Sequence, residues 1–546
     1  MKNSLSLITL GCALLASPAL SQDYAAVSKT SSGGLPDEGI GDLAMTGDGR
    51  FVVFASRASD LVPGDTNGNW DIFLRDTELE TIELISVAAD GSLGNSDSRF
   101  PQVSEDGRFV VFASHASNLV AGDANSKTDV FLVDRTLETI ELVSLSTAGL
   151  QQNGDSYAER CCDVSDDGRY VTWMTLANNL HPYDAYSWLD RDVYVRDRFA
   201  SETHLVSIAH LADQRDTGWE PSISADGSKI TFTSNSLHLH PDDADGNDDI
   251  FLWHSTTGVI ELISQTASGL AGTGGNSTAS RITPDGRFVV YESSATDLSP
   301  DDTTTSRDIY LRDRTLGTTE LISYNHDGTV YSGSGGLYQD GCKNADISAD
   351  GRYVVFHAPR WMTEVEETGA YLRDRLTGTT ELVGIPRWWW AYYSGGGWEP
   401  HVTNDGAKVL MRDDRGTPEH GTWGKDVAVF RLRDTSKNRV HLTHAPAVWW
   451  GSTLSVSADN AEPGATWALI RSFGRTGFTY GGATFDLSPS YKIIDTGSFD
   501  SAGEMSWVSP PVPQSAAGLT LYLELAAINA DGSVDDSNHT ELYIVG

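Results

Sequence analysis

Over residues 22–444, short runs of β-branched and aromatic residues alternate with polar turns, and no helical period shows. The run Arg108-Phe109-Val110-Val111-Phe112 follows the step Asp106-Gly107, a pairing that suits a tight hairpin turn: glycine accepts positive φ, and aspartate bonds its own backbone. The same step recurs at Asp48-Gly49, Asp167-Gly168, Asp226-Gly227, Asp285-Gly286, Asp350-Gly351 and Asp405-Gly406, at intervals of about 60 residues. Two residues before each step stands Ser or Thr: Thr46, Ser104, Ser165, Ser224, Thr283, Ser348 and Thr403. A third run follows, as in Asp71-Ile72-Phe73-Leu74 or Asp308-Ile309-Tyr310-Leu311, and then a fourth, as in Glu141-Leu142-Val143-Ser144. Four antiparallel strands per repeat, seven times over, predict an all-β, seven-bladed β-propeller.

The pattern S-x-D-G-R-[FY]-V-V-F-x-S, followed by D-[IV]-[FY]-[LV]-R-D-R, resembles the PD40 (WD40-like) repeat of TolB-type β-propellers. The resemblance covers about three quarters of the chain. It implies an interaction scaffold. The seventh repeat departs from the pattern, reading Asp405-Gly406-Ala407-Lys408-Val409-Leu410-Met411. Two segments compete to close the ring: Tyr24 to Lys29, which matches a fourth strand, and Val440-His441-Leu442-Thr443.

The ends carry different patterns. Residues 1–21 combine Lys2, an apolar stretch from Leu5 to Leu15 and the small residues Ala19 and Ser21, which predicts an export signal cleaved after Ser21. A secreted or periplasmic location follows, with lipidation at Cys12 as the alternative. No later stretch is apolar enough to span a bilayer. Residues 445–546 are rich in Ser, Gly and Ala, with strand-like runs such as Leu519 to Leu525, and predict a small C-terminal β-sandwich.

Charge narrows the partners. Lys and Arg total 38 against 76 Asp and Glu, a formal net charge of −38. Nucleic acid and anionic lipid both need a positive surface, so neither is expected. Beyond Cys12, the cysteines are Cys161, Cys162 and Cys342, too few for a disulfide scaffold. A vicinal bond between Cys161 and Cys162 or free structural thiols both remain open. The nucleophile elbow G-x-S-x-G, the P-loop, the Rossmann glycine pattern, H-E-x-x-H and C-x-x-C are all absent.

Candidate chemistry lies where the repeats diverge. After the last large side chain of each second strand come Ala55, Ala113, Met174, Thr233, Glu292, His357 and Arg412. The last three place an acid, an imidazole and a fixed cation on adjacent repeats, a set suited to a polar or anionic ligand; pairing among themselves at the rim of the core is the structural alternative. An aromatic segment follows repeat 6, with Trp388, Trp389, Trp390, Tyr392, Tyr393 and Trp398 around a run of glycines, and Trp361 in the repeat 6 loop. Such rings stack on sugars or pack against protein. The loops Asp65-Thr66-Asn67-Gly68-Asn69-Trp70-Asp71 and Asp243-Ala244-Asp245-Gly246-Asn247-Asp248-Asp249 place oxygen ligands at alternate positions around a glycine. Asp65, Asn67 and Asp71, and likewise Asp243, Asp245 and Asp249, are therefore candidate Ca²⁺ ligands, with Asx-turn chemistry as the alternative. Repeat 2 keeps Asp123, Asn125 and Asp129, and repeat 5 keeps Asp302 and Asp308. His238 and His240 would share one face of an extended segment, as a metal chelate requires, but lack a clear third ligand.

Together these features predict an exported, monomeric binding module for a protein or glycan ligand at repeats 5–7. The alternative is a polysaccharide lyase, with His357 as base, Arg412 neutralising a uronate and Trp390 stacking on sugar.

Overall fold

The computed structural model describes residues 24–156, 160–184, 190–208, 216–325, 328–330, 341–358, 369–384, 399–413 and 427–432, together with strands between 441 and 545. The chain forms two compact units, Met1–Arg433 and Asp434–Gly546.

The first unit is an all-β propeller. Six blades are each built from four consecutive strands hydrogen-bonded in chain order. Blade 2 is representative: Ser98–Val103, Phe109–Ser114, Asp129–Asp134 and Thr139–Leu142. Its second and third strands are almost wholly buried, while the fourth alternates exposed and half-buried residues. That difference explains why the inner strands read as continuous apolar runs. Phe112 stacks on Phe131 across them with ring centroids 6.0 Å apart, and equivalent pairs recur in the other five blades.

The expected count of seven such blades is corrected to six, plus one composite sheet. The seventh repeat supplies only His401–Val402, Lys408–Asp413 and Val427–Leu432. The outer strand of that sheet is Tyr24–Ala26, from the start of the unit, paired antiparallel with Val427–Leu432. The physical reason is that the next strand in sequence goes elsewhere: His441–His444 pairs with Ser455–Asp459 in the second unit. Of the two closing segments considered, the N-terminal one therefore takes the role. Val27 N–H donates to the Ala428 carbonyl at 2.7 Å, and Ala428 N–H donates to Ser28 Oγ at 3.0 Å, extending the seam.

The second unit is all-β among its described strands, with a three-stranded sheet, a larger mixed sheet centred on Thr520–Ile528 and a hairpin of Phe478–Tyr480 with Ala483–Phe485. Because His441–His444 belongs to it, this unit begins before the expected boundary at 444. Among the described residues no helix is long and apolar enough to cross a membrane.

Candidate functional site

The first strands of successive sheets lie innermost, and side chains stitch each to the next. The Asp42 carboxylate of blade 1 accepts the Phe100 N–H of blade 2 at 3.1 Å and pairs with Arg99 at 2.7 Å. Cys162 Sγ donates to the Phe100 carbonyl. Asp163 accepts Ile223 N–H at 3.0 Å, Glu220 accepts Ala279 N–H at 2.8 Å and Glu292 accepts Asn344 N–H at 2.6 Å. Asp346 accepts Val402 N–H at 3.2 Å. His401 Nε2 then donates to the Leu43 carbonyl of blade 1 at 3.1 Å, which closes the circle.

This geometry has a backbone cause. Phe100, Glu220, Ala279 and Asn344, each four residues before its Ser or Thr, and Arg160, one residue further upstream, hold φ between 53° and 58°. Left-handed conformations are uncommon away from glycine. In blades 2, 4, 5 and 6 they coincide with a register shift between the first two strands. At Phe100, Ala279 and Asn344 the turned N–H meets a carboxylate of the preceding blade.

The hub is consequently charged. Arg160 donates to the Ala279 carbonyl at 3.0 Å, reaching from blade 3 past blade 4 to blade 5. Burial raises the pKa of Glu292, partly offset by Arg160, the Asn344 N–H and Arg307. Glu399 is raised by the same cause and offset by Arg160. Burial and the Arg160 charge lower Arg281, while Asp163, Asp346 and Glu399 hold it cationic. Burial alone would raise Asp346, but the hydrogen bond and charge of His401, the Arg281 charge and the Val402 N–H together outweigh it, and the carboxyl lies below its ordinary value.

Glu292, His357 and Arg412 occupy the same place, the fifth residue of the second strand, in blades 5 and 6 and the composite sheet. Glu292 is 3% exposed and His357 is 7% exposed. The Glu292 carboxylate is engaged by Asn344 N–H and, at 3.4 Å, by Arg307. Arg412 is half-buried and reaches the Gly41 carbonyl at 3.5 Å. Lys343 faces His357 in the strand register. Trp361, Trp388, Trp389, Trp390, Tyr392, Tyr393 and Trp398 lie outside the described residues.

No family model matches this chain. No curated protein matches it either. Among solved structures it is similar to a putative TolB from Agrobacterium tumefaciens, at 14% identity over 66% of this chain and 97% of that one, with a TM-score of 0.34. It is also similar to a prolyl endopeptidase, at 10% identity over 78% of this chain and 55% of that one, with a TM-score of 0.41. Prolyl oligopeptidase B from Galerina marginata gives 10% identity, 77% and 49% coverage and a TM-score of 0.37. This chain spans about half the length of the two peptidases.

The loops before the third strands form a second constellation. Asp71, Asp129, Asp192, Asp249 and Asp308 open those strands, and each accepts a hydrogen bond from a serine hydroxyl: Ser86, Ser144, Ser207, Ser264 and Ser323. Burial pushes Asp71 up to about 6, Asp129 and Asp308 to about 7 and Asp249 to about 8. Asp243, Asp245 and Asp249 bring one ligand atom each within 4.8 Å of one another. His238 and His240 face separate carboxylates, Asp216 at 3.5 Å and Asp242 at 3.7 Å. Cys161, Cys162 and Cys342 are buried free thiols.

Of the carboxylates that stitch the hub, only Glu292 is among the sequence candidates. The hub's signal lies two residues before each Ser or Thr, where Ala44, Gln102, Asp163, Ser222, Arg281, Asp346 and His401 stand. Four of these seven residues are ionisable: Asp163, Arg281, Asp346 and His401.

Proposed function

We propose that the propeller is a binding module that receives a protein ligand at the sector formed by blades 5 and 6 and the composite sheet. The observation that carries this reading is the change at one strand position, from buried Ala55 and Ala113 to Glu292, His357 and Arg412. Exposed Arg307 and half-buried Lys343 extend the charged sector outward. Charges of both signs fixed on rigid strands suit a polypeptide of mixed charge, and complementarity of this kind selects partners. A glycan ligand would draw on the Trp388 to Trp398 segment, of which the fold gives no description. Glu292 and His357 are buried and the Glu292 carboxylate joins two blades, which disfavours the polysaccharide lyase alternative and leaves half-buried Arg412 and Lys343 and exposed Arg307 as the groups a ligand meets.

The test uses the full chain against an array of mixed-charge peptides and, in parallel, immobilised polygalacturonate. Saturable peptide binding is expected, weakened at least tenfold in Lys343→Glu with an unchanged circular dichroism spectrum. The tenfold loss corresponds to about 1.4 kcal/mol. Retention on polygalacturonate alone overturns the protein reading, and absence of binding to both overturns the module.

A further inference from the structure

The loops before the third strands divide into two classes, separated by side-chain hydroxyls that reach their aspartates. In blades 3 and 5 the third residue of the third strand is tyrosine. Tyr194 donates its hydroxyl to Asp184 Oδ2, and Tyr310 donates to Asp302 Oδ2 at 2.6 Å. Blade 5 also places Thr304 where blades 1, 2 and 4 have Asn67, Asn125 and Asp245, and Thr304 Oγ1 donates to Asp308 Oδ2 at 3.2 Å. Both Asp302 and Asp308 oxygens are thus satisfied within the protein.

In blades 1, 2 and 4 the residue at the tyrosine position is Phe73, Phe131 or Phe251. No hydroxyl is present, and the same carboxylates keep buried oxygens without a hydrogen-bond partner: Asp65 Oδ1 and Asp71 Oδ2, Asp123 Oδ1 and Asp129 Oδ2, Asp243 Oδ2 and Asp249 Oδ2. All of these side chains but half-buried Asp123 are deeply enclosed. Asp71, Asp129 and Asp249 are 0% exposed, Asp65 is 4% and Asp243 is 3%. A buried carboxylate oxygen without a partner costs several kcal/mol in effective desolvation. The arrangement occurs three times, always with phenylalanine and never with tyrosine among these five blades, so it is a built feature.

We infer that the third-strand loops of blades 1, 2 and 4 are Ca²⁺ sites, and that the Tyr-closed loops of blades 3 and 5 are not. The chemistry is that of a hard cation taking oxygen donors from two buried aspartates and from the residue between them. In blade 4 that middle residue is Asp245, whose ligand atom completes the 4.8 Å cluster. In blades 1 and 2 it is Asn67 or Asn125, so the blade 4 site carries one more negative charge and binds most tightly. Ca²⁺ suits a site formed partly by an irregular loop, whereas Mg²⁺ demands near-ideal octahedral geometry and dehydrates reluctantly.

The experiment is calorimetric titration of the chelator-treated full chain with CaCl₂, paired with thermal melts. Three equivalents of Ca²⁺ and a raised melting temperature are expected, the latter because a ligand of the native state stabilises it by mass action. Phe251→Tyr supplies the hydroxyl found in blades 3 and 5 and should lower the stoichiometry from three to two. Asp245→Asn changes only the exposed loop residue and should selectively weaken the tightest site, a readout that survives if Phe251→Tyr folds poorly. An unchanged melt and no heat with Ca²⁺, a rise reproduced equally by MgCl₂ or NaCl, or Ca²⁺ binding untouched by both substitutions would each overturn the proposal.

Discussion

At the scale of single residues, a neighbouring hydroxyl decides whether a buried aspartate oxygen is satisfied. Asp308 shows the satisfied case: Ser323 and Thr304 donate to its two oxygens, yet burial still pushes its carboxyl up to about 7. In the unfolded chain an aspartate titrates near 3.9, so the folded form of Asp308 holds its proton to higher pH. Its contribution to stability is then fully present below about pH 4 and is lost as pH rises through about 7. Asp308→Asn keeps the shape and the Ser323 acceptor but removes the charge. The variant should gain stability relative to wild type as pH rises from about 5 to about 8. Melting temperatures across that range check it, and a constant difference between the two proteins would refute the assignment. The loop aspartates were legible in the sequence as alternate oxygen donors. The Phe or Tyr that decides their fate was not, because both residues satisfy a buried aromatic pattern and only three-dimensional proximity shows where the hydroxyl points.

At the scale of elements, the Asp-Gly turns do more than reverse the chain. Gly107 has φ +70°, and a Cβ there would lie 2.2 Å from the Phe51 ring of the preceding blade. Arg108, next to it, pairs with Asp134 at the end of the third strand at 2.7 Å, and that hydrogen bond lowers the Asp134 pKa. Gly91 offers a comparison, with φ +82° and nothing within 4 Å. Gly91→Ala should cost about 1 kcal/mol for the left-handed backbone alone. Gly107→Ala should cost a further 1–3 kcal/mol or so, because the half-buried Phe51 ring, which packs against the core, must move. Chemical denaturation of both variants measures the difference, and equal losses would show that the turn is not wedged between blades. The turns and strands were readable because each repeat states them again. The hub was not, since its residues sit at irregular backbone positions where strand alternation gives no guide to facing.

At the scale of the whole molecule, the ring depends on a strand borrowed from its own beginning. In sequence, either the N-terminal segment from Tyr24 or the strand that follows the seventh repeat could supply its fourth strand. His441–His444 was a plausible one by composition, but it pairs with Ser455–Asp459 instead. Pairing partners of that kind are set by tertiary structure and leave no local trace. Closure then rests on Tyr24–Ala26, on the bonds of Ala428 to Val27 N–H and the Ser28 hydroxyl, and on the His401 bond to Leu43. Removing residues 24–28 would leave Val427–Leu432 as an open edge, and unpaired strand edges invite association between chains. The truncated protein should therefore melt at lower temperature and run partly as larger species in size-exclusion chromatography. Replacing Leu442 with Pro, by contrast, removes a donor in the second unit and should leave the propeller transition in place. If the truncation leaves both the melt and the elution volume unchanged, the hub bonds alone hold the ring, and the N-terminal strand is an ornament on it rather than its closure.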